Sequence, residues 1–288
     1  MVDTELGGSP VAIICGGGSF PGAVAEAIVR RGRQPVMFGL KGWAEAEVIE
    51  RYTHHWIALG QVGRFFQLAK AEHCKEVLLI GTLLRPPLKQ IRLDWQTIRL
   101  MPRIVGIFRG GDDRLLSGVA RMAEDNGLRV IGLHDVAPEI FVPEGVLGRR
   151  QPSARDTSDI VRGMKLIAAL GPFDVGQGAI VANNNVLAVE AAEGTDNMLK
   201  RIAELRKQGR VTTPTGIGVL VKAPKPGQDR RFDLPSIGPR TIENAARAGL
   251  AGIAVAAGST IVAEAGEAIA MADREGIFIA GVGEDAAG

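Results

Sequence analysis

The chain has 288 residues, 46% of them hydrophobic and 23% charged, the balance of a globular protein long enough for two domains. A net charge of +2 and only 5% aromatic residues argue against nucleic acid as a partner, because neither a broad positive field nor base-stacking platforms are available. No apolar run reaches the ~18 residues of a membrane span. Residues 1–10 lack the pattern of a signal peptide and read as a loose tail, and the two cysteines, Cys15 and Cys74, fit a reduced, cytoplasmic setting.

Residues 11–15 form a continuous apolar run of buried-strand type. Gly16, Gly17, Gly18, Ser19, Phe20, Pro21 and Gly22 follow, then a predicted helix over 23–31 and a strand over 35–39. Such a strand–glycine loop–helix–strand unit turns backbone N–H groups and a helix start toward a phosphate. It is not the dinucleotide fingerprint. Pro21 takes the third glycine position, and Leu40-Lys41-Gly42 stands where a ribose-binding carboxylate is expected. The alternative is a turn that needs glycine only for its geometry.

Helices over 44–51 and 62–72 alternate with strands over 56–60 and 76–81, which predicts a parallel sheet covered on both faces. Ligands bind beyond the carboxyl ends of such strands, where 16–20 and 81–86 lie; Gly81 and Arg85 belong to the second stretch. Residues 98–108 read as helical despite Pro102, Asp112 or Asp113 as the N-cap of a helix over 114–126, and 129–134 as the last strand of this half. His54, His55, His73 and His134 show no metal-ligand spacing.

Residues 149–156 are polar, contain a proline and are the linker candidate. The predicted division is therefore a first domain over 9–148, a linker over 149–156 and a second domain over 157–288. The fold class is α/β: an N-terminal Rossmann-like parallel-sheet domain joined to a C-terminal α/β domain of mixed sheet. In the second half a helix over 156–170 buries Ile160, Met164 and Ile167. Strands over 178–182 and 186–191 flank Asn183-Asn184-Asn185, which reads as a hairpin because Asn tolerates left-handed backbone. A strand over 216–221, a helix over 241–250, strands over 252–255 and 261–262, a helix over 264–274 and a strand over 276–279 complete the chain.

Two acid-bearing stretches stand at strand ends in this half. One holds Glu190, Glu193, Thr195 and Asp196; helix capping accounts for one of these residues, not all. The other runs from Lys222 to Arg240, is stiffened by prolines at 224, 226, 235 and 239, and packs Asp229, Arg230, Arg231 and Asp233 into five positions. Clustered oxygen ligands without His or thiolate suit Mg²⁺ or Mn²⁺. Lys222, Arg230 and Arg231 would neutralise a phosphoryl group, so the pattern points to phosphoryl chemistry. The plainer alternative is a solvated loop with incidental ion pairs.

The runs Val175-Gly176-Gln177-Gly178, Val189 to Asp196, and Lys222 with Gln228 to Pro239 resemble the UDP-2,3-diacylglucosamine pyrophosphatase family of the LpxI type. Gly16 to Pro21, Gly81 with Arg85-Pro86, and Gly111-Asp112-Asp113 are similar to it as well. The resemblance implies two domains enclosing an amphiphilic nucleotide-sugar lipid substrate, hydrolysed with a divalent cation to UMP and 2,3-diacylglucosamine 1-phosphate in lipid A biosynthesis. It implies Asp233 and Asp229 as metal ligands or water activators, with Glu190, Glu193 and Asp196 completing the metal shell. Lys222 and Arg231 would bind the pyrophosphate. Gly17, Gly18, Ser19, Phe20 and Gly81 would hold the uridine side, with Gln177 and Thr195 as further substrate contacts. Peripheral contact with the inner membrane and a homo-oligomer are both compatible with it. A non-catalytic nucleotide- or lipid-binding protein and a nucleotide-dependent oxidoreductase are the competing readings.

Overall fold

The computed structural model describes residues 8–81, 97, 112–226, 229–231 and 234–283, with the side chains of 112–117 and 119 outside that description. Arg85, the helix predicted over 98–108, Gln228 and Asp233 lie outside the described residues. The chain divides into two compact units, Met1–Pro138 and Glu139–Gly288.

The first unit is a five-stranded parallel sheet with helical crossovers. Its elements are β1 (Val11–Cys15), α1 (Phe20–Arg30), β2 (Pro35–Leu40), α2 (Ala46–Ile49), β3 (Thr53–Ile57), α3 (Val62–Ala71), β4 (Glu76–Ile80), α4 (Asp112–Asp125), β5 (Arg129–Val130) and α5 (Leu133–Val136). The strand order is β3-β2-β1-β4-β5. The chain leaves β1 toward one side and returns at β4 on the other, so the β1/β4 boundary is a topological switch point. Val11, Ala12 and Ile13 are fully buried, as a strand covered on both faces requires.

At the amino end of this sheet Glu76 is 1% exposed and is paired with both Arg33 and Arg129. A buried carboxylate needs such partners. Two predicted strands shift. β3 begins three residues before the predicted 56, and the Trp56 ring lies where a side chain on Gly39 would stand, 2.8 Å from its Cβ. β5 stops at Val130, because Gly132 N donates to Asp135 Oδ2 at 2.8 Å and caps α5. His134 therefore sits in a short helix, not at a strand end. Cys15 and Cys74 are free, and burial lifts their thiols to about 12 and about 11, so both stay protonated and unreactive.

The second unit is a mixed sheet. Its elements are β6 (Gly145–Leu147), α6 (Ala154–Leu170), β7 (Gly178–Ala182), β8 (Asn185–Val189), α7 (Gly194–Lys207), β9 (Val219–Lys222), β10 (Ser236–Ile237), α8 (Pro239–Arg247), β11 (Gly252–Ala256), β12 (Ile261–Val262), α9 (Ala265–Glu275) and β13 (Phe278–Val282). The order is β6-β13-β11-β9-β7-β8, with β9, β11 and β13 parallel and β6, β7 and β8 entering antiparallel pairs. β10 and β12 form a separate parallel pair. The polar run over 149–156 lies within this unit: Arg149 N donates to Asp273 Oδ1 at 2.7 Å, and Ser153 caps α6 with Asp156 as its reciprocal partner.

Alternation along β9 sorts the core into two layers. Val219 and Val221 face α6, whose Ile160, Met164 and Ile167 bury there as the spacing predicts. Leu220 faces the other layer with Met198, Leu199 and Ile202 of α7 and Ile242 of α8. Each such side chain contributes about 1.5–3 kcal/mol by leaving water. Gly163 lets α6 approach closely, since a Cβ there would stand 2.5 Å from Val221 Cγ2. The β7–β8 turn is Asn183-Asn184 with φ of 50° and 64°, the left-handed pair of a two-residue hairpin. Among the described residues no helix is long and apolar enough to cross a membrane.

Candidate functional site

In the first unit, Gly17, Gly18, Ser19 and Phe20 join β1 to α1 at the carboxyl end of β1. Gly18 has φ +93°, which favours glycine, and Ser19 occupies the N-cap without using its hydroxyl on the helix. Gly81 follows β4 with φ +103°. A Cβ there would fall 2.8–2.9 Å from the Gly16 backbone, and Gly16 N donates to Ile80 O at 2.8 Å. Gly81 and the glycine loop thus meet at the switch point, as their positions in sequence suggest.

In the second unit the constellation is built on β7, β8 and β9. β7 pairs antiparallel with both neighbours, so the end of β8 and the end of β9 reach the same edge of the sheet with β7 between them. Lys222 closes β9 opposite Gly178, and Glu190 N donates to Gly178 O at 2.8 Å. Ala223 N donates to Gln177 O at 3.1 Å, which places Gln177 beside the same strand end.

Lys222 is 5% exposed. Its Nζ donates to Thr195 Oγ1 at 2.9 Å and to Ser236 O at 3.0 Å. An ammonium this buried needs such acceptors. It lines a cavity of about 360 Å³ together with Glu193, Thr195, Asp196, Ser236 and Arg240. Five residues singled out in the sequence, Glu190, Glu193, Thr195, Asp196 and Lys222, are gathered at this edge, and all but Glu190 line the cavity.

The predicted carboxylates are mostly engaged by cations, and Asp229 and Arg231, expected at the same site, are not among the residues that line this cavity. Glu193 accepts from Arg201 Nη2 at 2.7 Å. Asp196 pairs with Arg240 Nε at 2.6 Å and accepts from Asn244 Nδ2 at 3.2 Å. Asp229 accepts from the backbone N of Arg231 at 3.0 Å and from its Nη2 at 2.8 Å. The hydrogen bonds from the Arg231 guanidinium hold Asp229 below the ordinary carboxylate range against its partial burial. Arg230 turns instead to Ser259 Oγ at 3.1 Å.

Glu190 differs. Its Oε2 is buried and has no hydrogen-bond partner among the described residues, and the missing side chains of Gly176 and Gly178 leave Glu190 room: a Cβ would lie 2.4 Å from its backbone carbonyl oxygen at Gly176 and 2.5 Å from Oε2 at Gly178. Among the described residues no three His, Cys, Asp or Glu side chains stand close enough to share a metal ion. Mg²⁺ needs no such cage, since it takes one or two carboxylates and fills its shell with water and substrate phosphate. An unpartnered carboxylate oxygen such as that of Glu190 fits that mode.

Arg240 and Ser236 line the cavity without having been expected at the site from the sequence. Arg240 stands in the first turn of α8, and its place as the last residue of the proline-stiffened stretch was the available signal.

Residues 10–140 match the model of the LpxI N-terminal domain and residues 143–280 that of the LpxI C-terminal domain. The UDP-2,3-diacylglucosamine pyrophosphatase LpxI of Caulobacter vibrioides is 38% identical over 272 residues, which cover 94% of this chain and 97% of that protein. With both domain models matched in order and a relative aligned along nearly its whole length, the chain belongs to the LpxI family.

Proposed function

We propose that this protein hydrolyses the pyrophosphate of UDP-2,3-diacylglucosamine to UMP and 2,3-diacylglucosamine 1-phosphate, a step of lipid A biosynthesis. The observation that carries the reading is the cavity around Lys222, set in a chain 38% identical to a protein named for that reaction. One water is added and one P–O bond of the pyrophosphate breaks; the attacking water loses its proton and the leaving phosphate takes the electron pair.

Lys222 supplies positive charge to the pyrophosphate, already fixed by Thr195 and Ser236 before substrate arrives, so little reorganisation is needed as charge develops. Thr195 lines the same space. Arg231 is oriented by Asp229 and is proposed as a second pyrophosphate contact. Asp233, outside the described residues, is proposed to activate the water. Gly17, Gly18, Ser19, Phe20 and Gly81 are proposed for the uridine side, and Gln177 for a further contact.

The proposal includes Mg²⁺ or Mn²⁺, for which Glu190, Asp229 and Asp233 are the candidate protein ligands. Such an ion, when bound, withdraws charge from a phosphoryl oxygen. Because the substrate carries acyl chains, a cytoplasmic protein in peripheral contact with the inner membrane completes the reading.

The test is release of UMP from UDP-2,3-diacylglucosamine by purified protein, with Mg²⁺ and with EDTA. Release that stops on chelation and in Asp233→Asn is expected. Absence of release by the wild-type protein would sink the hydrolase reading, whereas full release in EDTA would remove only the metal.

A further inference from the structure

Arg240 and Asp196 carry an inference about how the cavity receives its ligand. It rests on the pyrophosphatase reading and assigns that site a further anion contact, beside Lys222 and Arg231. Arg240 stands in the first turn of α8 and lines the cavity that Lys222 also lines. Its side chain is 82% exposed, and its Nε is ion-paired with Asp196 Oδ2 at 2.6 Å. Asp196 is in turn held from its other oxygen by Asn244 Nδ2 at 3.2 Å, and Asn244 is 5% exposed on the buried side of α8.

That arrangement fixes one edge of a planar guanidinium and leaves the other. Nη1 and Nη2 of Arg240 have no protein partner among the described residues. An arginine anchored through Nε by a carboxylate presents its remaining donors as a preset fork, and such a fork matches two oxygens of a phosphate. The opposite charge needed to use it is not supplied by the neighbours. Glu193 accepts from Arg201, and Asp196 is already on Nε. An exposed guanidinium serving stability alone would gain little, since surface pairs contribute ~0–1 kcal/mol. Asp196, Asn244 and Arg240 form a relay from the core of the unit to the cavity, and its outer end is a phosphate-shaped donor pair.

We propose that Arg240 binds the diphosphate of the substrate, and that Asp196 is the positioning residue that aims it. This gives Asp196 a different task from metal ligation: one oxygen pairs with the arginine and the other is braced by Asn244. Lys222 acts on the diphosphate as a fixed point charge from the strand end, and Arg240 as a two-pronged clamp from the helix start.

The test compares UDP with uridine as ligands of the full-length protein, by titration calorimetry, so that no turnover is needed. Arg240→Gln is expected to weaken UDP by about tenfold or more, the loss of one charge-assisted contact. Arg240→Lys retains the charge without the fork and is expected to recover part of that loss. Asp196→Asn keeps the volume, unties Nε and is expected to weaken UDP by a smaller factor. Uridine affinity is expected to stay unchanged in all three. UDP bound equally well by wild type and Arg240→Gln would overturn the proposal. So would an equal loss of uridine affinity, which would mean general damage, or no measurable UDP binding by the wild-type protein. UMP release by wild type, measured in parallel, reports on the hydrolase reading by itself.

Discussion

Lys222 Nζ and Thr195 Oγ1 lie 2.9 Å apart, joining the last residue of β9 to the first turn of α7. This bond makes the cation part of the scaffold. Lys222→Met keeps much of the side-chain volume and removes the charge. It is expected to lower kcat/KM for UMP release about 10²–10³-fold, the range for loss of one preset electrostatic contact. Thr195→Val leaves the ammonium in place with one acceptor fewer and is expected to cost about tenfold. A Lys222→Met enzyme of wild-type kcat/KM would show that the buried amine serves folding only.

The Asp229–Arg231 pair has an acid signature. Its carboxyl is held below the ordinary range in the folded chain, chiefly by hydrogen bonds from the guanidinium. The stabilisation is therefore complete above the unfolded carboxyl value near ~3.9, and is lost as pH falls through the lower, folded value. Arg231 stays protonated throughout. Asp229→Asn is expected to reduce unfolding free energy by about 1 kcal/mol at pH 7. In urea titrations the gap between variant and wild type should close below about pH 4. A gap of constant size down to the acid limit would contradict the pairing.

Asp159 is fully buried on α6 and accepts from Asn183 N at 3.0 Å and Asn184 N at 2.6 Å. One side chain thus satisfies the two amides of the hairpin turn. Asp159→Ala leaves both without that acceptor and is expected to destabilise by about 2–4 kcal/mol, with Asp159→Asn intermediate. Asn184→Gly should be tolerated, because φ there is +64°. Chemical denaturation measures all three; an Asp159→Ala chain as stable as wild type would refute the role.

Gly176 and Gly178 separate two kinds of clash. A methyl on Gly176 would meet the Glu190 backbone carbonyl at 2.4 Å, whereas on Gly178 it would meet the side-chain Oε2 at 2.5 Å. A side chain can swing aside and a paired strand end cannot. Gly176→Ala is expected to lower the melting temperature by several degrees, as a change of about 1–2 kcal/mol does. Gly178→Ala should keep most of its stability and lose turnover, since Glu190 is displaced. Equal melting and equal turnover in the two variants would argue against any role for the Glu190 carboxylate.

Local chemistry explains what was readable in the chain. The run at 11–15 is buried on both faces, so its composition reports a strand directly, and the glycines after it mark a turn and a close approach. The positions 160, 164 and 167 share one face of α6, and asparagines at the hairpin adopt positive φ. Lys222 stands with Glu193 to Asp196 because β8 and β9 end at one side of the same sheet, whereas Asp229 and Arg231, expected to meet that acidic stretch, are not among the residues lining the cavity. β6 and β10 were not legible: three and two residues long, they exist only through partners far along the chain. The pairing of Asp196 with Arg240 is of the same kind. Their contact arises from how α7 packs beside α8, and neither residue's neighbours in sequence encode it.

The Arg33–Glu76–Arg129 clamp stands at the amino end of the first sheet, and the glycine loop at the carboxyl end. β4 has five residues, so about 16 Å of strand separates them. The clamp's net single positive charge is worth only about 0.3–1 kcal/mol to an anion at that distance. Salt reduces it further beyond a screening length of about 8 Å. The sheet is long enough to insulate its loop electrically from the ions that brace it. Charge changes at the braced end can then drift through neutral variation in stability, leaving the potential at the glycine loop almost untouched.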